Sequence, residues 1–155
     1  MHTPSYVPAA NGQPARIYYT GRASRKHYGP GSSYAIGALE LIDCEWRRRD
    51  APLIVGSEPR PSVLEPLVVA DGGRFMMWFQ ASPHEVGPRE LPDYELRVVE
   101  SEDGLRWSPP RVFATPVEGF FDNAVARVGD EWVIILARGS NLHDTPDFPA
   151  QGAWM

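Results

Sequence analysis

Glu65 and Asp122 are the residues whose type and placing best suit chemistry. Each opens an apolar, β-favouring run: Glu65 in LEPLVVADGGRFMMWF and Asp122 in FDNAVARVGDEWVIIL. Asp122 stands 57 residues after Glu65 (122 − 65). Two carboxylates at the same place in repeated units can divide acid and base work, because crowding and burial push their pKa values apart. Glu118, just before Asp122, is a third carboxylate within reach of the same end.

The elements that must position these groups are strands. After Glu65 the chain turns at Asp71-Gly72-Gly73 and returns through an aromatic-rich strand; after Asp122 it turns at Gly129-Asp130 and returns through Trp132. A third copy of the plan lies at the N-terminus, where Asn11-Gly12 leads into RIYYTGR and Tyr18 sits 59 residues before Met77 (77 − 18). A fixed period of tens of residues, with strands and turns inside each unit, marks a repeat architecture. Four strands per unit with radial closure describes a β-propeller, in which the start of each innermost strand faces the channel mouth. The expected class is therefore all-β.

In chain order, the reading gives a short inner strand at residues 5–8, then strands at 16–21 and 34–42, a turn at 43–46 and an outermost strand at 47–55. The second unit starts at Leu64 and continues with strands at 94–100 and 111–113. The third starts near Phe120, and its tail SNLHDTPDFPAQGAWM is expected to be a loop. No segment keeps an apolar 3.6-residue period over ten residues, so no helix is expected. The units fall at about 1–55, 56–114 and 115–155, two and a half blades of one propeller domain.

Composition narrows the function. A hydrophobic fraction of 43% with 11% aromatics in 155 residues fits a folded domain. Gly 14 and Pro 16 suit many turns. A formal charge of −5 leaves no footprint for nucleic acid or an anionic membrane surface. No apolar run approaches the ~18 residues of a membrane span. The start MHTPSYVPAANG lacks the basic and apolar regions of a signal peptide. A cytoplasmic location is the default expectation, and secretion the expectation if the N-terminus is incomplete. Cys44 is the single cysteine, so no internal disulfide forms. His27 with Tyr28, and His143 with Asp144, lack a third ligand at metal spacing, so neither metal nor cofactor is expected. G-x-S-x-G, P-loop, G-x-G-x-x-G and C-x-x-C motifs are absent, which leaves serine-hydrolase, nucleotide and structural-zinc readings without support.

One further motif is structural. Ser101, Asp103, Gly104 and Trp107 form S-x-D-G-x-x-W, repeated more loosely as Asp43 and Trp46. Asp caps such a turn by accepting backbone N–H bonds, Gly supplies positive φ, and Trp packs on the blade edge. Trp78 and Trp132 lie in return strands, where core packing is the expected role, with sugar stacking by Trp78 as the alternative.

Carboxylate, Pro, apolar strand, DGG, aromatic strand, third strand, S-x-D-G-x-x-W, outer strand: over Arg16–Gly139 this order resembles the five-bladed propeller glycoside hydrolases. These are the arabinanase and xylosidase family 43, the invertase-like family 32, the levansucrases of family 68 and the mannoside phosphorylases of family 130. Sialidase-type propellers carry a related box with a residue between Asp and Gly, unlike Asp103-Gly104. The resemblance implies a carbohydrate substrate and cleavage of a glycosidic bond by channel-mouth carboxylates from different blades, here Glu65 and Asp122, with Glu118 as a further candidate. Arg22, Arg138 and Asn141, just after second strands, are candidate substrate-binding groups. The family pattern also expects a carboxylate at the start of the first blade, whereas the first Asp or Glu here is Glu40. Three alternatives stay open. One is a phosphorylase, with Arg22, Arg25, Lys26 and Arg138 as the phosphate cluster. The second is a non-catalytic sugar-binding or scaffold propeller. The third is an inactive fragment whose open blade edges pair with another copy.

Overall fold

The computed structural model of the chain describes residues 2–22, 33–83, 94–118, 120–138 and 152–154, and only the backbone of His2, Val117, Phe121, Asp122, Arg138, Gly152 and Trp154. Three antiparallel sheets follow one another along the sequence. The first contains β1 (His2–Val7), β2 (Arg16–Arg22), β3 (Tyr34–Ile42), β4 (Glu45–Arg48) and β5 (Ile54–Val55); β4 and β5 both pair with β3, at its two ends. The second runs β6 (Ser62–Asp71), β7 (Arg74–Ser82), β8 (Glu95–Ser101) and β9 (Arg111–Ala114) in order. The third runs β10 (Phe120–Val128), β11 (Glu131–Arg138) and β12 (Gly152–Trp154). A single 3-10 turn, Pro116–Glu118, interrupts the strands among the described residues.

Turn chemistry sets the hairpins. Asp71 and Arg74 pair across Gly72 and Gly73, both at positive φ, the pattern of the two-residue type I′ loop that matches strand twist. Asp43 and Cys44 adopt the same pattern between β3 and β4, with φ of 52° and 64°. This tight hairpin is not a second S-x-D-G-x-x-W box: it leaves Trp46 exposed and edge-on to Tyr6. The expected outermost strand at 47–55 is divided into β4 and β5. The tail also departs from expectation, since β12 pairs with the end of β11 through Leu136↔Trp154 and Arg138↔Gly152. Three residues are too few to show an alternation, and the strand exists through its pairing partner.

The sheets pack face to face through two cores. Tyr18, Ile36, Ala38 and Val7 of the first sheet meet Val63, Val68, Phe75, Met77 and Phe79 of the second. Trp78, Leu96, Val98 and Ala114, on the opposite face of the second sheet, meet Phe120, Val125, Ile134 and Leu136 of the third. Tyr18 thus faces the following sheet while Met77 faces the preceding one. The residue oriented like Tyr18 is Trp78, because a one-residue slip along a strand exchanges faces.

The first interface is locked by polar groups. Arg16, 1% exposed, donates from Nε to Glu40 (3.1 Å), from Nη2 to Gln13 (2.9 Å) and from Nη1 to the Asp103 carbonyl, and its guanidinium lies over Phe75. The Tyr18 hydroxyl donates to the Gly104 carbonyl at 2.9 Å, and Trp107 sits edge-on to the Tyr18 ring. Within the box, Asp103 accepts the N–H groups of Leu105 and Arg106, and Ser101 Oγ accepts that of Gly104. Gly104 is required twice over: its φ is +70°, and a Cβ there would come within 2.5 Å of Arg16 and 2.6 Å of Tyr18. The box is a lock between blades.

This lock carries a pH signature. Burial opposes ionisation of Asp103, but the Arg106 and Leu105 amides, the Arg106 guanidinium and Ser101 overcome it and hold its pKa well below the carboxylate range. Burial likewise opposes ionisation of Glu40, and Arg49 and Arg16 together lower its pKa. Groups whose folded pKa is depressed add stability above their unfolded pKa, near 4, and lose it as pH falls towards the folded value. The unfolding free energy is expected to drop by on the order of 2 kcal/mol between about pH 5 and pH 2, and Asp103→Asn to flatten that slope. Urea titrations at a series of pH values measure it.

Candidate functional site

The inner strands β1, β6 and β10 each carry an irregularity near their start. Register shifts between His2 and Ser5 in β1, between Leu64 and Leu67 in β6, and between Phe120 and Asp122 in β10. An extra residue on one strand re-aims the neighbouring side chains, and such bulges occur at rims and next to active sites. Glu65 lies inside the bulge of β6 and has a φ of +58°, which a non-glycine residue adopts at a cost. It is half-buried, with Oε2 shut off from solvent. Beyond the bulges the two strands match at the 57-residue spacing: Val68 pairs with Met77, and Val125 with Ile134. Glu65 and Asp122 therefore stand at the same end of neighbouring inner strands. The register differs in one respect, since Asp122 pairs directly with Ala137, so the extra residue of β10 precedes it.

The corresponding place in β1 is taken by Thr3, at φ +42°. Its hydroxyl lies 3.2 Å from the Thr20 hydroxyl, and Thr20 Oγ1 accepts the Glu65 backbone N–H at 2.8 Å. One side chain of β2 thus ties the first bulge to the second. Lower down the same boundary, Ser5 Oγ accepts the Val68 N–H at 2.9 Å. Among the described residues the inner strands pair only with the second strand of their own sheet, so these hydroxyls serve backbone N–H groups that the ladder leaves over.

No family model matches the sequence, and no curated protein does. Solved structures do match. Over 97% of this chain and 55% of that chain, the family 117 glycoside hydrolase Zg3597 from Zobellia galactanivorans superposes with a TM-score of 0.69 at 16% identity. An exo-1,5-α-L-arabinanase from a bovine ruminal metagenomic library gives 0.64 at 10% identity, over 98% of this chain and 51% of that one. The GH32 β-fructofuranosidase BmSUC1 of Bombyx mori gives 0.64 at 11% identity, over 86% of this chain and 28% of that one. A mutant of that enzyme is known in complex with sucrose. The chain shares its β-propeller fold with parts of these glycoside hydrolases. The chain spans about half of the Zobellia and metagenomic chains and under a third of the Bombyx one.

Within this propeller fold the other candidates separate. Glu118 closes the 3-10 turn, its Oε2 accepting the N–H of Thr115 at 2.6 Å and its hydroxyl at 2.9 Å. Arg22 lies over the Tyr34 ring across the β2–β3 pair. Trp78 is 7% exposed and edge-on to Phe113, so its ring packs between blades and offers no open face for a sugar. Arg138 pairs with Phe120 across the β10–β11 ladder, close to Asp122 in register. Asn141, Arg25, Lys26, His27, Tyr28, His143 and Asp144 lie outside the described residues. Among the described residues no three His, Cys, Asp or Glu side chains gather as a metal site.

Sequence reasoning passed over Thr20, read only as part of a strand, and Gln80, which is polar yet fully buried at the mouth end of β7. A polar residue at an inward strand position was the available signal.

Proposed function

We propose that this chain is a carbohydrate-active propeller protein that cleaves a glycosidic bond, with Glu65 and Asp122 as its acid and base or nucleophile. The observation that carries this reading is the shared placing of the two residues beside the bulges of neighbouring inner strands, in a fold shared with solved glycoside hydrolases. Glycoside cleavage needs one protonated carboxyl at the leaving oxygen and a second carboxylate for water or the anomeric carbon. Glu118 is a further carboxylate of the same end, bound into its turn.

A second reading, non-catalytic sugar binding, is favoured by one observation. Thr3 stands at the start of the first blade, where the resemblance leads one to expect a third carboxylate. Incubation with sucrose and a panel of 4-nitrophenyl glycosides, with and without inorganic phosphate, separates the readings. Release of 4-nitrophenolate or glucose supports hydrolysis. Release that requires phosphate assigns a phosphorylase, with Arg22 and Arg138 as phosphate ligands. A tryptophan-fluorescence change without release assigns the binding protein.

Self-association belongs to the same proposal. The outer face of the first sheet exposes Tyr6, Leu41 and Trp46, and that of the third exposes Val128 and Ile135. Unpartnered apolar sheet faces mark an interaction surface. A second copy of the chain, pairing through the open edges of its sheets, can cover both. Light scattering is expected to return a dimer mass; a monomer at micromolar concentration contradicts this pairing.

A further inference from the structure

We infer that Thr20 is a positioning residue that sets the orientation of Glu65 from the neighbouring blade, an inference that rests on the functional reading of Glu65. Thr20 is 2% exposed in β2, the second strand of the first sheet, paired on one side with His2 and on the other with Ile36. A β-branched side chain in a doubly paired strand has little rotamer freedom, so its hydroxyl is a fixed point. That hydroxyl accepts the Glu65 N–H at 2.8 Å and lies 3.2 Å from the Thr3 hydroxyl. Both residues it meets are the left-handed members of their bulges, Glu65 at +58° and Thr3 at +42°.

Left-handed backbone at a non-glycine residue persists only where its surroundings determine it. At Glu65 the fixing bond comes from a neighbouring sheet, since the bulge takes Glu65 out of register with β7. The direction of its Cα–Cβ bond, and so of its carboxylate, depends on this bond. The next boundary repeats the layout. Gln80 lies opposite Leu64, the residue before the bulge of β6, as Thr20 lies opposite His2 before the bulge of β1. Alternation along β7 places Gln80 on the Trp78 face, towards the third sheet and the bulge that precedes Asp122. At both boundaries a buried polar residue of the second strand, Thr20 or Gln80, thus stands level with the bulge of the following inner strand.

The test compares Thr20→Val, which keeps the shape and removes the hydroxyl, with Thr20→Ser, which keeps the hydroxyl. The first readout is the Glu65 amide and side-chain carboxyl resonances of the ¹⁵N,¹³C-labelled chain, which needs no substrate. The second is kcat and KM on 4-nitrophenyl α-L-arabinofuranoside. Thr20→Val is expected to move the Glu65 amide proton upfield and shift the carboxyl carbon. It should lower kcat by about tenfold or more with KM within about twofold. Thr20→Ser is expected to restore the resonances and to keep kcat within about twofold of wild type. Thr20→Ala serves in place of Val if the Val variant does not fold. Unmoved Glu65 resonances in the hydroxyl-free variant overturn the inference, as does equal loss in the Ser variant. Turnover that survives Glu65→Gln overturns the functional reading instead, leaving the resonance shift to decide the positioning role on its own.

Discussion

Glu65→Gln and Asp122→Asn are each expected to lower kcat on a cleaved glycoside by about 10²- to 10⁴-fold, the range that a positioned acid or base contributes. Both changes remove a proton-transfer group while keeping size and shape. Gln at position 65 meets the same backbone demand as Glu, because neither side chain relieves a φ of +58°. The Thr20 hydroxyl still receives the backbone N–H of residue 65, so the bulge is kept. Glu65 is not a member of either inter-sheet core. Thermal midpoints are therefore expected to stay within a few degrees while turnover falls. Parallel melting curves and initial rates on the same preparations separate loss of chemistry from loss of fold.

Arg16→Met is expected to destabilise the fold by about 3–5 kcal/mol, the range for stripping one partner from a buried ion pair. The side chain is 1% exposed and serves four groups at once: Glu40, Gln13, the Asp103 carbonyl and the Phe75 ring. Met restores much of the volume but none of the donors. Glu40 keeps Arg49 at 2.8 Å, a partly exposed partner, so its charge is not left alone. The Asp103 carbonyl keeps no such substitute from Arg16, and the turn that locks the second blade to the first loosens. The sign of the pH effect follows. With Arg16 gone, less of the depression of the Glu40 pKa remains, so the loss of stability below about pH 4 becomes shallower than in wild type. A double variant, Arg16→Met with Glu40→Leu, should recover part of the stability, as apolar replacement of a whole buried pair does. Urea midpoints with unchanged slopes measure both effects.

Much of this fold is legible in the sequence because it is written in local signals. Asp71-Gly72-Gly73 and Gly129-Asp130 specify hairpins by backbone requirement, and alternation specifies the strands around them. The likeness to propeller folds was legible through the same order of turns and strands, and the solved structures share the fold. What escaped the sequence is set between blades. Arg16 reads as a strand-starting charge, yet it is the centre of the first interface because Gly104 lets the next blade's turn approach it. Tyr18 and Met77 read as counterparts by spacing alone, but they face opposite neighbours, because the true counterpart, Trp78, is one residue further on and successive residues of a strand face opposite sides. The strand Gly152–Trp154 exists only through β11. Thr20 shows no motif, because its role depends on two bulges brought together from different parts of the chain.

The candidate site divides in the same way. The places of Glu65 and Asp122 at the starts of inner strands follow from the repeat, whereas the bulge that turns Glu65 into the left-handed region follows from tertiary contact with Thr20. Trp78 illustrates the reverse case, an aromatic at a suggestive position that the interface with the third sheet consumes.

The most direct test of the central claim, that Glu65 and Asp122 form one site, is the rate of the Glu65→Gln/Asp122→Asn double variant beside the two single ones. Groups that act as a unit lose their effect together, so the double variant is expected to cleave the glycoside no more than about threefold more slowly than the worse single variant. Losses that multiply, or a single variant that keeps the wild-type rate, would contradict a shared site.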